Sequence, residues 1–161
     1  MRKEFGRIIT DLAERDEKIF LMVGDIGYGI FDTYREKFPD RFINFGVREQ
    51  AMISFASGMA LEGLKPWVYT ITPFLIERPF EQIKIDVVQQ KANVKLVGYA
   101  DYPHQGPTHS EIDAKGLMGL LEGITSYFPK NSAETRKFVI EAYRNNEPSF
   151  ISLKKDGGKT I

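Results

Sequence analysis

The chain has 161 residues, 42% hydrophobic and 27% charged, the make-up of one globular domain that buries roughly 70% of its unfolded surface. Lys and Arg number 22 and Asp and Glu 22, so there is no basic excess to suit nucleic acid and no acidic excess to suit a disordered tail. The lack of cysteine excludes disulfides, thiolate metal sites and cysteine nucleophiles, and no apolar run reaches membrane-spanning length or forms a signal core; the expectation is a cytoplasmic protein with neither membrane nor nucleic-acid partner.

Phe5, Ile8, Ile9, Leu12 and Ala13 recur at helical spacing and predict an amphipathic helix. Ile19–Val23 is a continuous apolar run between charge and Gly24, which predicts a strand buried on both faces. A weaker helical pattern through Phe31, Tyr34 and Phe38 stops at Pro39-Asp40, ahead of a short strand over 42–45. Met52, Phe55, Ala56, Met59 and Ala60 predict the inward face of a second helix, with Gly63 placed for a left-handed C-terminal cap. Residues 67–72 are the most β-prone in the chain.

A helix over 79–90 opens on a proline, which a first turn tolerates, and turns Phe80, Ile83 and Val87 inward. A strand over 94–99 leads into a polar loop over 101–111, followed by a helix near 113–121 and a short strand near 124–127. A helix capped by Ser132 turns Phe138, Val139, Ala142 and Tyr143 inward, and the last strand covers 150–153. Helix and buried strand alternate with no Pro/Gly/Ser-rich linker or repeat between them. That order predicts an α/β fold over 1–161: three layers, a mainly parallel six-stranded sheet and helices on both faces. Ligands collect at the carboxyl ends of such strands, so the loops after Val23, Phe45, Thr72 and Tyr99 are where a site belongs.

Four places in those loops carry chemistry. Gly24-Asp25-Ile26-Gly27-Tyr28-Gly29 lacks the third glycine of a dinucleotide fingerprint and the lysine of a phosphate loop, so it reads as a flexible turn. Glu49, in Gly46-Val47-Arg48-Glu49-Gln50, falls in a first helical turn, where the helix dipole favours any carboxylate. A functional role requires it to be buried against a nitrogen base, because desolvation favours the protonated carboxyl that can share a proton near neutral pH. Gly106-Pro107-Thr108-His109 and His104 hold the only two histidines; their five-residue step matches no usual metal-ligand spacing, which leaves proton transfer, a polar substrate contact or a solvated loop. Phe74 is either core packing or a platform for a flat heterocycle, and Arg78 either a cofactor contact or a surface ion pair.

Taken in order, Gly24-Asp25, then Asp40-Arg41-Phe42-Ile43-Asn44 with Gly46 to Gln50, then Phe74, then Gly106-Pro107-Thr108-His109 resembles the pyrimidine-binding module of the transketolase family over residues 5–153. The resemblance implies thiamine diphosphate as cofactor. Glu49 then hydrogen-bonds the aminopyrimidine ring nitrogen and favours the tautomer that removes the thiazolium C2 proton, and Phe74 stacks on the pyrimidine. His109 faces the C2 region, Asp25 lies near the cofactor, and a two-carbon ketol unit passes between sugars or sugar phosphates.

No Gly-Asp-Gly diphosphate and metal motif occurs in these residues. The resemblance therefore implies a separate diphosphate-binding transketolase subunit that carries Mg2+ or Ca2+, an α2β2-type assembly with self-association, and no metal site on this chain. Ala100-Asp101 stands where the family usually has a His-Asp pair, and Gln105 takes the place of an acidic sugar contact. Asp101, His104 and His109 are the substrate-side candidates, His104 partly replacing a lost contact, and an altered sugar preference is expected. The alternatives are the matching module of a 2-oxoacid dehydrogenase or decarboxylase and a noncatalytic regulatory partner subunit.

Overall fold

The computed structural model describes residues 1–100, 106–110 and 113–155. Its strands are β1 (Ile19–Val23), β2 (Phe42–Asn44), β3 (Lys65–Ile71), β4 (Lys95–Tyr99), β5 (Thr125–Tyr127) and β6 (Ser149–Leu153). They form one sheet in the order β2-β1-β3-β4-β6-β5, and every pairing is parallel. The register sets Leu21 beside Phe42 and Trp67, and Val97 beside Tyr69 and Ile151.

Side-chain alternation along the strands divides the core in two. Ile19, Leu21, Val23, Trp67, Tyr69, Val97, Tyr99, Ile151 and Leu153 face one side, covered by α1 (Arg2–Ala13), α2 (Asp32–Lys37) and α7 (Ser132–Arg144). There Phe5 stacks on Tyr69 at 5.9 Å and meets Phe31 edge-on at 5.8 Å. Met22, Val68, Leu96 and Phe150 face the other side, under α3 (Glu49–Leu61), α4 (Thr72–Ile76), α5 (Phe80–Gln82) with the helical turn after it, and α6 (Ala114–Gly119). This is the three-layer α/β architecture that the alternating pattern predicts. Among the described residues no helix is long and apolar enough to cross a membrane.

Three local expectations are corrected. Phe55 is 52% exposed, and α3 buries Met52, Ile53, Ala56 and Ser57 instead. The helix is apolar nearly all round, so spacing alone marks two equivalent stripes; the sheet takes one and leaves Phe55 against Phe45 at 5.3 Å. The segment 79–90 is not one α-helix, since three α-helical residues pass into a π-helix over Ile83–Gln89 that still buries Ile83 and Val87. The cap of α7 is Asn131 and not Ser132: the Asn131 carboxamide oxygen accepts from the Glu134 amide at 2.9 Å.

At the amino-terminal edge of the sheet, Lys95 is 1% exposed. Its ammonium donates to Asn145 Oδ1 at 2.7 Å, to the Asn145 carbonyl at 3.1 Å and to the Glu147 carbonyl, tying the start of β4 to the end of α7. Burial pushes its pKa down from 10.5 to about 7, against the pull of Glu147.

Candidate functional site

The carboxyl ends of β1 and β3 flank the point where the chain, having gone from β1 out to β2, returns past β1 to β3. A reversal of strand order opens a crevice above the sheet, and Glu49 stands beside it as the first residue of α3. Gly46, at φ +64, turns the chain from β2 into that helix. The Glu49 carboxyl is only 4% exposed although it sits at a helix start, where carboxylates are normally solvated. Arg78 Nη1 donates to Glu49 Oε1 at 3.1 Å, and the Arg78 carbonyl accepts from Gln50 Nε2 at 3.4 Å.

Phe74 is carried by α4, which begins where β3 ends. The helix settles close to the sheet because β4 offers Gly98 beneath it: a Cβ at that position would lie 2.5 Å from Thr72 Oγ1. The Arg78 guanidinium carbon lies 3.5 Å from the centre of the Phe74 ring, within cation–π range. The His109 ring meets the same phenyl edge-on at 4.7 Å. His109 ends the short turn Pro107–His109, with Nδ1 at 3.1 Å from Thr108 Oγ1. Glu49, Arg78, Phe74 and His109, spread over sixty residues of sequence, thus form one contiguous group. A cleft of 510 Å³ lined by Val47, Arg48, Glu49, Gln50, Ala51 and Arg78 opens on its carboxylate side.

Asp25 belongs to a neighbouring network and not to that group. Its backbone has φ +53, its amide donates to Asn44 Oδ1 at 3.0 Å, and its Oδ1 accepts from Asn44 Nδ2 and Tyr28 Oη, each at 3.1 Å. Asn44 Oδ1 also accepts from the Gly46 amide at 2.9 Å. Asn44, whose clamping role the sequence pattern did not single out, therefore locks the loop after β1 to the turn that delivers Glu49. An Asn at a strand end two residues before a turn glycine was the available signal, since such side chains bond the backbone two residues on. Asp101 and His104 lie outside the described residues. Among the described residues no group of three or more His, Asp or Glu side chains converges in a way that could hold a metal ion.

A three-layer parallel α/β sheet, with a buried carboxylate beside an aromatic ring at its switch point, defines a doubly wound α/β domain. The chain belongs to the transketolase pyrimidine-binding domain family, whose model matches residues 1–159. It is 36% identical over 121 residues to one of the subunits of apulose-4-phosphate transketolase from Actinobacillus succinogenes, covering 73% of this chain and 39% of that protein. It is 32% identical over 163 residues to 1-deoxy-D-xylulose-5-phosphate synthase of Methylobacillus flagellatus, covering 96% of this chain and 25% of the relative. Among solved structures, a split-gene transketolase described as an inactive β4 tetramer matches with a TM-score of 0.87 at 27% identity, over 99% of this chain and 52% of its own. The chain spans 39% and 25% of the length of those two sequence relatives.

Proposed function

We propose that this chain is the pyrimidine-binding subunit of a two-polypeptide, thiamine diphosphate-dependent enzyme that moves a two-carbon ketol unit between sugars or sugar phosphates. The observation that carries the proposal is the Glu49 carboxylate, 4% exposed and paired with a flat cation stacked on Phe74. A pocket that already accommodates a planar N–H donor between an aromatic face and a buried carboxylate has the chemistry for an aminopyrimidine ring. The likeness to a subunit of apulose-4-phosphate transketolase and to a split-gene transketolase supports assigning the diphosphate and its Mg2+ or Ca2+ to a second polypeptide.

When bound, thiamine diphosphate supplies the nucleophilic carbon for breaking and forming carbon–carbon bonds. The work of this chain is to bind and orient. Glu49 would hydrogen-bond a nitrogen of the ring, and the low exposure of its side chain would strengthen that bond. Phe74 would fix the plane of the ring, and His109, edge-on to that phenyl, would stand on the substrate side of it. Asp25, held by Asn44 and Tyr28, stands at the side of the same crevice.

The outer face of α3 supports an assembled state. Phe55 and Leu61 on the helix are 52% and 59% exposed, Val47 just ahead of it is 64% exposed, and an exposed apolar patch of this kind marks an interaction surface. That face is assigned to subunit contacts in an α2β2-type complex. The test is reconstitution with the diphosphate-binding partner. Ketol transfer present only in the mixture, and reduced by about a hundredfold or more in Glu49→Ala, is the expected result. Carbon dioxide release from a 2-oxoacid would reassign the chemistry, and a partner fully active by itself would make this chain a regulatory subunit.

A further inference from the structure

We infer that Arg78 is a built-in stand-in for the cofactor ring, whose guanidinium must swing off Phe74 and Glu49 before thiamine diphosphate can seat. The inference rests on the function proposed above and concerns how the same site is controlled. A guanidinium is flat, cationic and rimmed with N–H groups, so it stacks on aromatic faces and donates in its plane to carboxylates. Those are the two interactions assigned to the pyrimidine, and Arg78 makes both at once: 3.5 Å above the Phe74 ring and 3.1 Å from Glu49 Oε1. Ring and guanidinium compete for one layer above one phenyl and for one carboxylate oxygen, so occupancy by either excludes the other.

The contact has a physical reason to exist before the cofactor arrives. A carboxylate as buried as Glu49 is costly without a partner, and Arg78 neutralises it until a ring nitrogen takes over. Release needs no backbone rearrangement. Arg78 lies in the link between α4 and α5, its carbonyl is held by Gln50 Nε2, and its side chain is 36% exposed on the rim of the 510 Å³ cleft. The guanidinium can therefore rotate outward while Phe74 and Glu49 stay in place. A competent form that is only fractionally populated lowers the apparent association rate by that fraction.

Stopped-flow binding of thiamine diphosphate with Mg2+ to the reconstituted two-subunit complex, followed by protein fluorescence, tests this. Arg78→Met, which keeps the aliphatic stem, is expected to raise the association rate constant about tenfold and leave the dissociation rate essentially unchanged. Arg78→Lys, which keeps the charge and loses the planar stack, is expected between wild type and Met, and it serves as the measuring variant if Arg78→Met does not fold by circular dichroism. An unchanged association rate, or a faster dissociation that would mark Arg78 as an ordinary cofactor contact, overturns the inference while the functional reading stands. Absence of binding by wild type and variants alike overturns both.

Discussion

Stability of this chain is expected to rise with pH across a window set by one lysine. Lys95 is 1% exposed, and burial brings its pKa down from 10.5 to about 7. Between those values the unfolded chain carries a proton that the folded chain has released, so the unfolding free energy increases as pH rises. The slope approaches about 1.4 kcal/mol per pH unit, and the whole window corresponds to about 5 kcal/mol as an upper limit. The carbonyl acceptors around Nζ favour the ammonium and narrow the window from below. Above about pH 10 the sign reverses: burial raises the pKa of Tyr34 and Tyr69, so the unfolded chain loses phenol protons that the folded chain keeps.

Urea unfolding of wild type and Lys95→Met from about pH 6.5 to 10.5 measures the effect. Methionine preserves the stem and removes the titration, and contributions from Met1 and the tyrosines cancel in the difference between the two proteins. The Met variant carries a fixed cost of about 1–3 kcal/mol for each carbonyl acceptor left unpaired, which displaces its curve without tilting it. Wild type minus variant should therefore climb from about pH 7 to the upper end of that range, its slope falling only as the unfolded lysine titrates near 10.5. Parallel curves over that range would refute the argument that burial of the ammonium sets this pKa.

Gly98→Ala places a Cβ 2.5 Å from Thr72 Oγ1 and 3.1 Å from Thr72 Cα, which forces α4 away from the sheet. A stability loss of about 1–3 kcal/mol by thermal unfolding is expected, with weaker thiamine diphosphate binding by the two-subunit complex because Phe74 moves with the helix. Asn44→Ala removes the acceptor shared by the Asp25 and Gly46 amides; amide hydrogen exchange should accelerate at both, with about 1 kcal/mol lost overall. Unchanged exchange at Gly46 would detach Asn44 from the delivery of Glu49.

The architecture was legible in the sequence because its cause is local. A strand covered by helices on both faces has no polar alternation, and Ile19–Val23 stands out as a short apolar run for that reason. The amphipathic patterns of α1 and α7 are equally plain, since each of those helices has one wet side. Where the cause is not local, the pattern misleads. Spacing could not choose between the two apolar stripes of α3, and the exposure of Phe55 follows from which stripe the sheet covers. Asn131 and Ser132 are both good caps, and the path of the chain into α7 selected the first.

The candidate site divides in the same way. Residue types and their order in the loops pointed to Asp25, Glu49, Phe74 and His109 as matches to one family and left Arg78 open, and backbone order along a parallel sheet dictates which loops share an edge. The environment of each side chain was left to the folded molecule. A glutamate in the first turn of a helix is written identically whether it faces water or an arginine, and it is the folded chain that buries Glu49 and pairs it with Arg78, twenty-nine positions later. Asp25 stands apart because Asn44 captures it. Side-chain pairings of that kind depend on the distance between elements, which only the packed sheet and its helices define.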